Sequence, residues 1–353
     1  MFLLENIPLA PLTTLKIGGP ARYFVEASNT GEVQEAVTFA RSRDLPLFVL
    51  GGGSNLVVAD AGWPGLVLKV ALQGIDQVQP SGHDEDGNVL FEVGAGESWD
   101  KFVSHAVIAR CAGVECLSGI PGSVGGTPVQ NVGAYGQEVS ETISSVQVLD
   151  LKDNQVRELC PEACGFTYRA SIFNTTERGR FIVLRVTYAL TPGGSPRITY
   201  ADLKRHFEGR ETPPNLAETR EAVRHIRALK GMLIIPGDAD CQSAGSFFKN
   251  PVLSAEQHED LKQRAAARGF TVPNYPALET RKKVSAAWLV ERSGFAKGFG
   301  FGRVGISTKH ALAIVNRGGA TAADVLALKE QIQHRVEEIW GIRLEPEPVM
   351  VGL

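Results

Sequence analysis

Six glycines crowd the eighteen residues from Gly119 to Gly136, which read Gly-Ile-Pro-Gly-Ser-Val-Gly-Gly-Thr-Pro-Val-Gln-Asn-Val-Gly-Ala-Tyr-Gly. That density excludes a helix or strand interior, because each glycine loses much backbone freedom on ordering and offers no side chain to pack. A second cluster, Gly51-Gly52-Gly53-Ser54-Asn55, directly follows the short apolar stretch Pro46–Leu50. Without Cβ atoms both segments can turn sharply and aim peptide N–H groups at an anion, or lie bare against a flat ligand. Either one alone is compatible with tight surface turns, which are rich in glycine anyway. Two in one chain favour a ligand. The spacing is not a Rossmann fingerprint, since Leu56 stands where G-x-G-x-x-G needs its third glycine, and no Gly-Lys-Ser/Thr completes a Walker loop.

The residues around these loops alternate strand and helix. Arg22–Ala27, Pro46–Leu50, Gly65–Ala71, Val89–Gly94 and Phe181–Leu190 read as strands, with a turn-rich His83–Asn88 among them. Ile143–Leu151 and Gln155–Leu159 form a hairpin pattern about Lys152-Asp153-Asn154. Glu32–Arg43 sets Val33, Ala36, Val37 and Ala40 on one helical face, and Ser98 stands where a cap is needed for a helix carrying Phe102, Val103, Ala106 and Val107. Thr191–Pro196 holds two prolines and two glycines and marks a boundary. Beyond it come the helical patterns Leu216–Leu229, Ala255–Arg268, Val284–Arg292 and Ala322–Trp340, with Phe301–Ile306 and Ala311–Asn316 as strands between them. Ile342–Val351 ends the chain in extended form, its prolines suited to a sheet edge. The expected fold class is α+β in two parts. A first domain covers 1–193, with lobes of about 1–71 and 72–193. A C-terminal α+β domain covers 194–353, its last strand 342–353 packing back on the first lobe.

Composition removes several function classes. In 353 residues, 43% are hydrophobic and 21% charged, as in an ordinary globular protein. A net charge of −3 and the lack of a Lys/Arg-rich run argue against nucleic-acid binding. No stretch approaches the ~20 apolar residues that span a bilayer. Met1–Pro11 carries Glu5 and no basic residue, unlike a secretory leader. A soluble, cytoplasmic, monomeric chain is expected. Five cysteines without a C-x-x-C pair, and seven histidines without H-E-x-x-H, point to reduced thiols and no metal site.

The glycine-loop segments Gly51–Val58 and Gly119–Gly136 together resemble the FAD-binding domain of the vanillyl-alcohol oxidase and p-cresol methylhydroxylase type. The second loop, Tyr168-Arg169-Ala170-Ser171-Ile172-Phe173, Ser243-Ala244-Gly245-Ser246-Phe247-Phe248-Lys249-Asn250-Pro251 and Leu344-Glu345-Pro346-Glu347 resemble, in order and over nearly the whole chain, the UDP-N-acetylenolpyruvoylglucosamine reductase family. The resemblance implies FAD held by Gly51, Gly52, Gly53, Ser54, Asn55, Ile120, Gly122, Ser123, Gly126, Gln130, Asn131, Gly133, Ala134 and Tyr135. The attachment is expected to be non-covalent, since the first loop has no His or Cys. It also implies NADPH as co-substrate and reduction of the enolpyruvyl group of a UDP-sugar to a lactyl ether, a UDP-N-acetylmuramate dehydrogenase activity in peptidoglycan synthesis.

By the same resemblance, Ser246 is the proton donor, Arg169 polarises the substrate carboxylate, and Glu347 is the catalytic glutamate, a role that asks for a raised pKa. A planar guanidinium suits a carboxylate, and an apolar, water-excluding setting suits a serine acid. Outside the motif, Arg169 would read as a solvated surface residue and Ser246 as a turn serine. Tyr200 matches a substrate-covering tyrosine, Asn250 a substrate contact, and Lys230 a lysine that pairs the diphosphate. The family pattern Gln-Gln-Ala-Leu is here Lys309-His310-Ala311-Leu312, and Val-Arg after the glutamate is here Pro348-Val349. The competing reading on the same flavin fold is an FAD-dependent oxidase of a small alcohol or sugar. A flavoprotein or UDP-sugar binder without catalysis is the reading from another class.

Overall fold

The computed structural model describes residues 1–78, 87–273 and 281–353, so His83–Asp86 of the expected turn lie outside the described residues. The chain folds as two compact units. One comprises Met1–Ile7, Ala21–Gly53 and Trp63–Leu229; the other comprises Pro8–Pro20, Ser54–Gly62 and Lys230–Leu353.

Among the described residues, the first unit is built on two larger sheets. In one, the strands run in the order Leu3–Pro8, Pro20–Ala27, Trp63–Val70, Leu47–Leu50. Trp63–Val70 pairs in parallel with both Pro20–Ala27 and Leu47–Leu50. The strand Leu3–Pro8 was not legible in the sequence, because its LLENIP has no alternation. The helix Thr30–Ser42 buries Val33, Ala36, Val37 and Ala40 as its spacing predicts, and Asn29 caps it by accepting from Glu32 N–H at 3.0 Å. The other sheet is antiparallel, in the order Gln155–Leu159, Ile143–Asp150, Phe181–Pro192, Val89–Gly94, Ile75–Val78. Behind it lies the helix Trp99–Ile108, which buries Trp99, Phe102, Val103, Ala106 and Val107. Ser98 sits at its N-cap position, though its side chain makes no capping bond.

This unit runs to Leu229, beyond the 193/194 boundary that the prolines suggested. The reason is a small core in which Leu203, Ala222, Val223 and Ile226 bury against Cys116 and Tyr135. The helices Ala201–His206 and Leu216–Leu229 thereby belong to the first unit. Apolar burial at ~25 cal/mol per Å² outweighs the chain-breaking residues upstream of them.

In the second unit the helix Ala322–Trp340 opens on a capping box between Thr321 and Asp324 and stops at Gly341, whose φ of 70° is the left-handed region. Its Val325, Leu328, Ile332, Val336 and Trp340 pack in one core with Leu261, Leu289, Val290 and Phe295. The expected strand Phe301–Ile306 is a tight hairpin, Gly300–Phe301 against Val304–Ile306, turning on Gly302 at φ 58°. The last strand, Val349–Val351, pairs in parallel with Leu56–Val58. That partner falls within the expected first lobe in sequence but belongs to the second unit by its packing. All five cysteines are free. Among the described residues no helix is long and apolar enough to cross a membrane, and no cluster of His, Cys, Asp and Glu could hold a metal.

Candidate active site

The two glycine loops meet within the first unit, backbone against backbone. A Cβ on Gly52 would lie 2.5 Å from Gly122 Cα, and one on Gly51 would lie 2.8 Å from Ser123 Oγ. At Gly52 the obstructing atoms are backbone and cannot turn away, which is why glycine stands there, whereas at Gly51 the obstruction is the Ser123 hydroxyl. Gly122 itself has φ 131°, open only to glycine at low cost. Ser123 Oγ is buried and has no hydrogen-bond partner among the described residues. An orphaned buried hydroxyl costs ~1–3 kcal/mol, so a polar ligand atom at this point would recover that loss. Bare backbone beside an unsatisfied hydroxyl fits a nucleotide cofactor such as FAD. The first loop divides after Gly53: Ser54 and Asn55 belong to the second unit, where Asn55 Nδ2 donates to Glu347 O at 3.3 Å.

The rest of the second loop is built largely on its own polar groups. Asn131, 1% exposed and at φ 44°, donates through Nδ2 to Glu138 Oε2 at 2.8 Å and to Thr167 O at 3.1 Å. Its Oδ1 accepts from Ser140 N–H at 3.1 Å. Both amide hydrogens are thereby engaged in shaping the loop. Gly133 and Ala134 form a short strand with Gln137 and Glu138. Thr127 Oγ1 and the buried Tyr188 hydroxyl lie 2.8 Å apart, anchoring the loop to the antiparallel sheet. Burial pushes the Tyr188 phenol well above its ordinary pKa, so this bond stays neutral.

Arg169 reaches this loop from a left-handed backbone, φ 56°, which for a non-glycine costs ~1–2 kcal/mol. Its Nη2 donates to Gly133 O at 2.5 Å and its Nη1 to Asn131 O at 3.4 Å. Strained backbone held by neighbours is common at functional positions. Tyr200 is 45% exposed and meets the Tyr135 ring edge-on at 5.4 Å, with Tyr135 itself at φ 49°. The tyrosine expected to cover a substrate is thus set against the second glycine loop.

A charged network behind that loop had no sequence signal beyond three arginines on one helix. Asp100 accepts from Arg220 Nη1 at 2.6 Å and Nη2 at 3.0 Å, from Arg224 Nη1 at 2.6 Å, and from Gly119 N–H at 2.6 Å. Burial alone would raise the Asp100 carboxyl, but these donors outweigh it and hold the pKa below its ordinary value. Arg227, 7% exposed, donates Nε–H to Gly119 O at 3.1 Å. Burial lowers its guanidinium from the ordinary value, opposed by Tyr135 and Asp100.

In the second unit, Ser246 and Glu347 come together on paired segments. Phe248 bridges Pro346 antiparallel, Glu347 N–H donates to Phe247 O at 2.9 Å, and Lys249 N–H to Glu345 O at 2.9 Å. Ala244, Phe247 and Phe248 are 0–4% exposed, so Ser246 is half-buried in an apolar frame. Its Oγ lies 3.1 Å from His310 Nε2, a partner the family pattern did not anticipate. Asn250 Oδ1 accepts from Ala286 N–H at 2.9 Å, so its carbonyl caps the helix Ala286–Arg292. The helix starts at Ala286 and not at Val284 because Ser285 is its N-cap, its Oγ accepting from Trp288 N–H at 3.2 Å. Lys230 follows the last residue of the helix Leu216–Leu229 and opens the second unit's long segment.

Known proteins resemble both halves of the chain. Residues 21–159 match the FAD binding domain family model, and residues 236–351 match the C-terminal domain model of UDP-N-acetylenolpyruvoylglucosamine reductase. The protein named UDP-N-acetylenolpyruvoylglucosamine reductase from Thermobifida fusca is 47% identical over 99% of this chain and 98% of its own length. The one from Streptomyces coelicolor is 46% identical over 99% of this chain and 90% of its own. The crystal structure of the Thermus caldophilus UDP-N-acetylenolpyruvylglucosamine reductase superposes with a TM-score of 0.65 at 28% identity, covering 99% of this chain and 100% of that one. Likeness of that extent, running through both units and every motif segment, places the chain in the UDP-N-acetylenolpyruvoylglucosamine reductase family.

Proposed function

We infer that this chain is an NADPH-dependent flavoenzyme that reduces the enolpyruvyl group of UDP-N-acetylenolpyruvoylglucosamine, a step of peptidoglycan precursor synthesis. The observation that carries the reading is the Ser246 hydroxyl, half-buried among Ala244, Phe247 and Phe248 on the segment that pairs with Glu345–Glu347. Gly51, Gly52, Gly53, Gly122 and Ser123 are the residues we assign to holding FAD, with the Ser123 hydroxyl as a specific donor. Bound FAD supplies two-electron redox chemistry between NADPH and the substrate double bond.

The remaining roles belong to side chains. Ser246 delivers the proton that completes saturation at the carbon bearing the carboxylate: its O–H bond breaks as the C–H bond forms. Arg169 holds that carboxylate and meets the charge that builds on it during the reaction. Its two bonds to the second loop fix the guanidinium before substrate arrives, so little reorganisation is needed. Glu347 is assigned to the same carboxylate. Tyr200, Asn250 and Lys230 are assigned to the UDP-sugar, Asn250 through the amide nitrogen that its helix cap leaves available for that task.

Mixing purified, FAD-loaded protein with NADPH without oxygen, then adding the UDP-sugar, tests this. The visible flavin absorbance is expected to bleach and then return on adding substrate. A protein that bleaches but is re-oxidised only by oxygen would favour the small-alcohol or sugar oxidase. Failure to load FAD at all would overturn the assignment.

A further inference from the structure

We propose that His310 is the positioning residue for the Ser246 proton: its Nε2–H donates to Ser246 Oγ, aims the serine hydrogen away from itself, and steadies the oxygen as that hydrogen leaves. The inference rests on the reading of Ser246 as proton donor and goes beyond it by naming what makes so weak an acid usable.

The geometry is specific. Ser246 Oγ and His310 Nε2 are 3.1 Å apart, within hydrogen-bond reach. The imidazole is carried on a short turn between the strands Val304–Ile306 and Ile314–Asn316, and that turn is pinned by several hydrogen bonds. The fully buried Ser307 accepts through Oγ from Lys309 N–H at 3.0 Å and His310 N–H at 3.2 Å. Ala313 N–H closes the turn onto His310 O at 3.1 Å. On one side of the histidine, Thr308 N–H donates to Asp240 Oδ1 at 3.0 Å, and the Lys309 ammonium is paired with the Asp238 carboxylate. On the other side, Leu312 O accepts from Phe247 N–H at 2.8 Å, tying the turn to the residue next to Ser246. A partner held on a rigid element keeps a reacting group within a few tenths of an ångström of its working position.

The direction of the bond follows from the chemistry. A serine hydroxyl has one hydrogen and two lone pairs, and a neutral imidazole nitrogen either donates or accepts. Were Ser246 the donor, its only hydrogen would point at His310 and be withheld from the substrate. With His310 as donor, a lone pair of Oγ is occupied and the hydrogen is free to face the substrate carbon. When that proton transfers, the O–H electron pair stays on Oγ, the new C–H bond takes its pair from the reduced double bond, and Nε2–H already faces the negative oxygen. A proton from solvent then restores the hydroxyl, the one proton that the reaction consumes in addition to the hydride equivalent from NADPH.

Two measurements test this on the full-length protein. In FAD-loaded enzyme, reduction by NADPH and re-oxidation by substrate are followed separately by stopped flow. His310→Phe is expected to leave the first within twofold and to slow the second by ~10²-fold, the scale of removing one preorganised donor. His310→Gln, which keeps an N–H donor, is expected to recover most of that loss. In the apoprotein, ¹⁵N NMR of histidine-labelled chain is expected to show His310 with its proton on Nε2, a preference that Ser246→Ala abolishes. A proton on Nδ1 with Nε2 accepting, or a His310→Phe enzyme re-oxidised at the normal rate, would overturn the proposal. If Ser246→Ala is slow while His310→Phe is normal, only the positioning role falls. If both are normal, the assignment of Ser246 falls with it.

Discussion

The two units build their candidate sites from opposite materials. In the first, the loops Gly51–Gly53 and Gly122–Ser123 work because side chains are missing, with atoms of one loop standing where a Cβ on the other would have to be. In the second, Ser246, His310 and Glu347 work because particular side-chain atoms are present, on irregular segments tied together by backbone hydrogen bonds. A backbone site depends on shape and is damaged by any added atom; a side-chain site depends on one functional group and is damaged by its removal. The same reaction therefore has two classes of sensitive position, and they fail in different ways.

The largest expected effect is on the side-chain site. Ser246→Ala removes the proton donor from beside His310 and the apolar Ala244, Phe247 and Phe248, and alanine is the smaller side chain. Re-oxidation of the reduced enzyme by the UDP-sugar is expected to slow by ~10²–10⁴-fold, while FAD loading and reduction by NADPH continue. Rapid-mixing absorbance of the two half-reactions reads both. Unchanged re-oxidation would show that the second unit does not act through this hydroxyl, and the contrast between the units would fail there.

Gly52→Ala strikes the backbone site instead. Its new methyl would stand 2.5 Å from Gly122 Cα and 2.7 Å from Gly122 C, both backbone atoms that cannot rotate away. Overpacking of this kind costs ~1–3 kcal/mol, which as lost cofactor affinity is about ten- to a hundredfold. The ratio of flavin to protein absorbance after dialysis measures it, with circular dichroism as the check on folding. Retention of FAD at the normal ratio would mean that the loops can part without affecting the cofactor.

What the sequence made legible follows the same division. Glycine clusters announce themselves, since nothing but a required close approach or positive φ explains so many together, and Gly52 and Gly122 bear that out. Helices with a clear apolar stripe, such as Ala322–Trp340, were equally readable from period and caps. The division of the chain was not readable, because it depends on Cys116 and Tyr135 burying residues ninety or so positions downstream. Local breakers such as Pro192 and Pro196 carry no information about such distant packing. Nor could the sequence show that Asn131 engages both its amide hydrogens within the loop, or that Asn250 caps a helix thirty-six residues on. The Ser246–His310 approach was hidden for the same reason: the two residues lie sixty-four apart and are brought together by backbone bonds such as Phe247–Leu312 and Gln242–Asn316.

The smallest effect expected separates two glutamates in one motif. Glu345 is 69% exposed and its Oε1 meets Lys249 Nζ at 2.5 Å, an ion pair in contact with water. Such pairs contribute about 1 kcal/mol or less, because solvent screens the attraction and two long side chains must be ordered to make it. Glu347 is half-buried, its N–H is bonded to Phe247 O, and its carbonyl accepts from Asn55 Nδ2. That places its backbone in register with the Ser246 segment. Glu345→Gln is accordingly expected to lower Tm by no more than a few degrees and to leave both half-reactions within twofold of the unaltered rates. Glu347→Gln, which preserves shape and all backbone bonds, is expected to slow re-oxidation by substrate alone. If Glu345→Gln proved the slower enzyme, the catalytic carboxylate would be the exposed one, and the side-chain site of the second unit would have to be redrawn around Lys249.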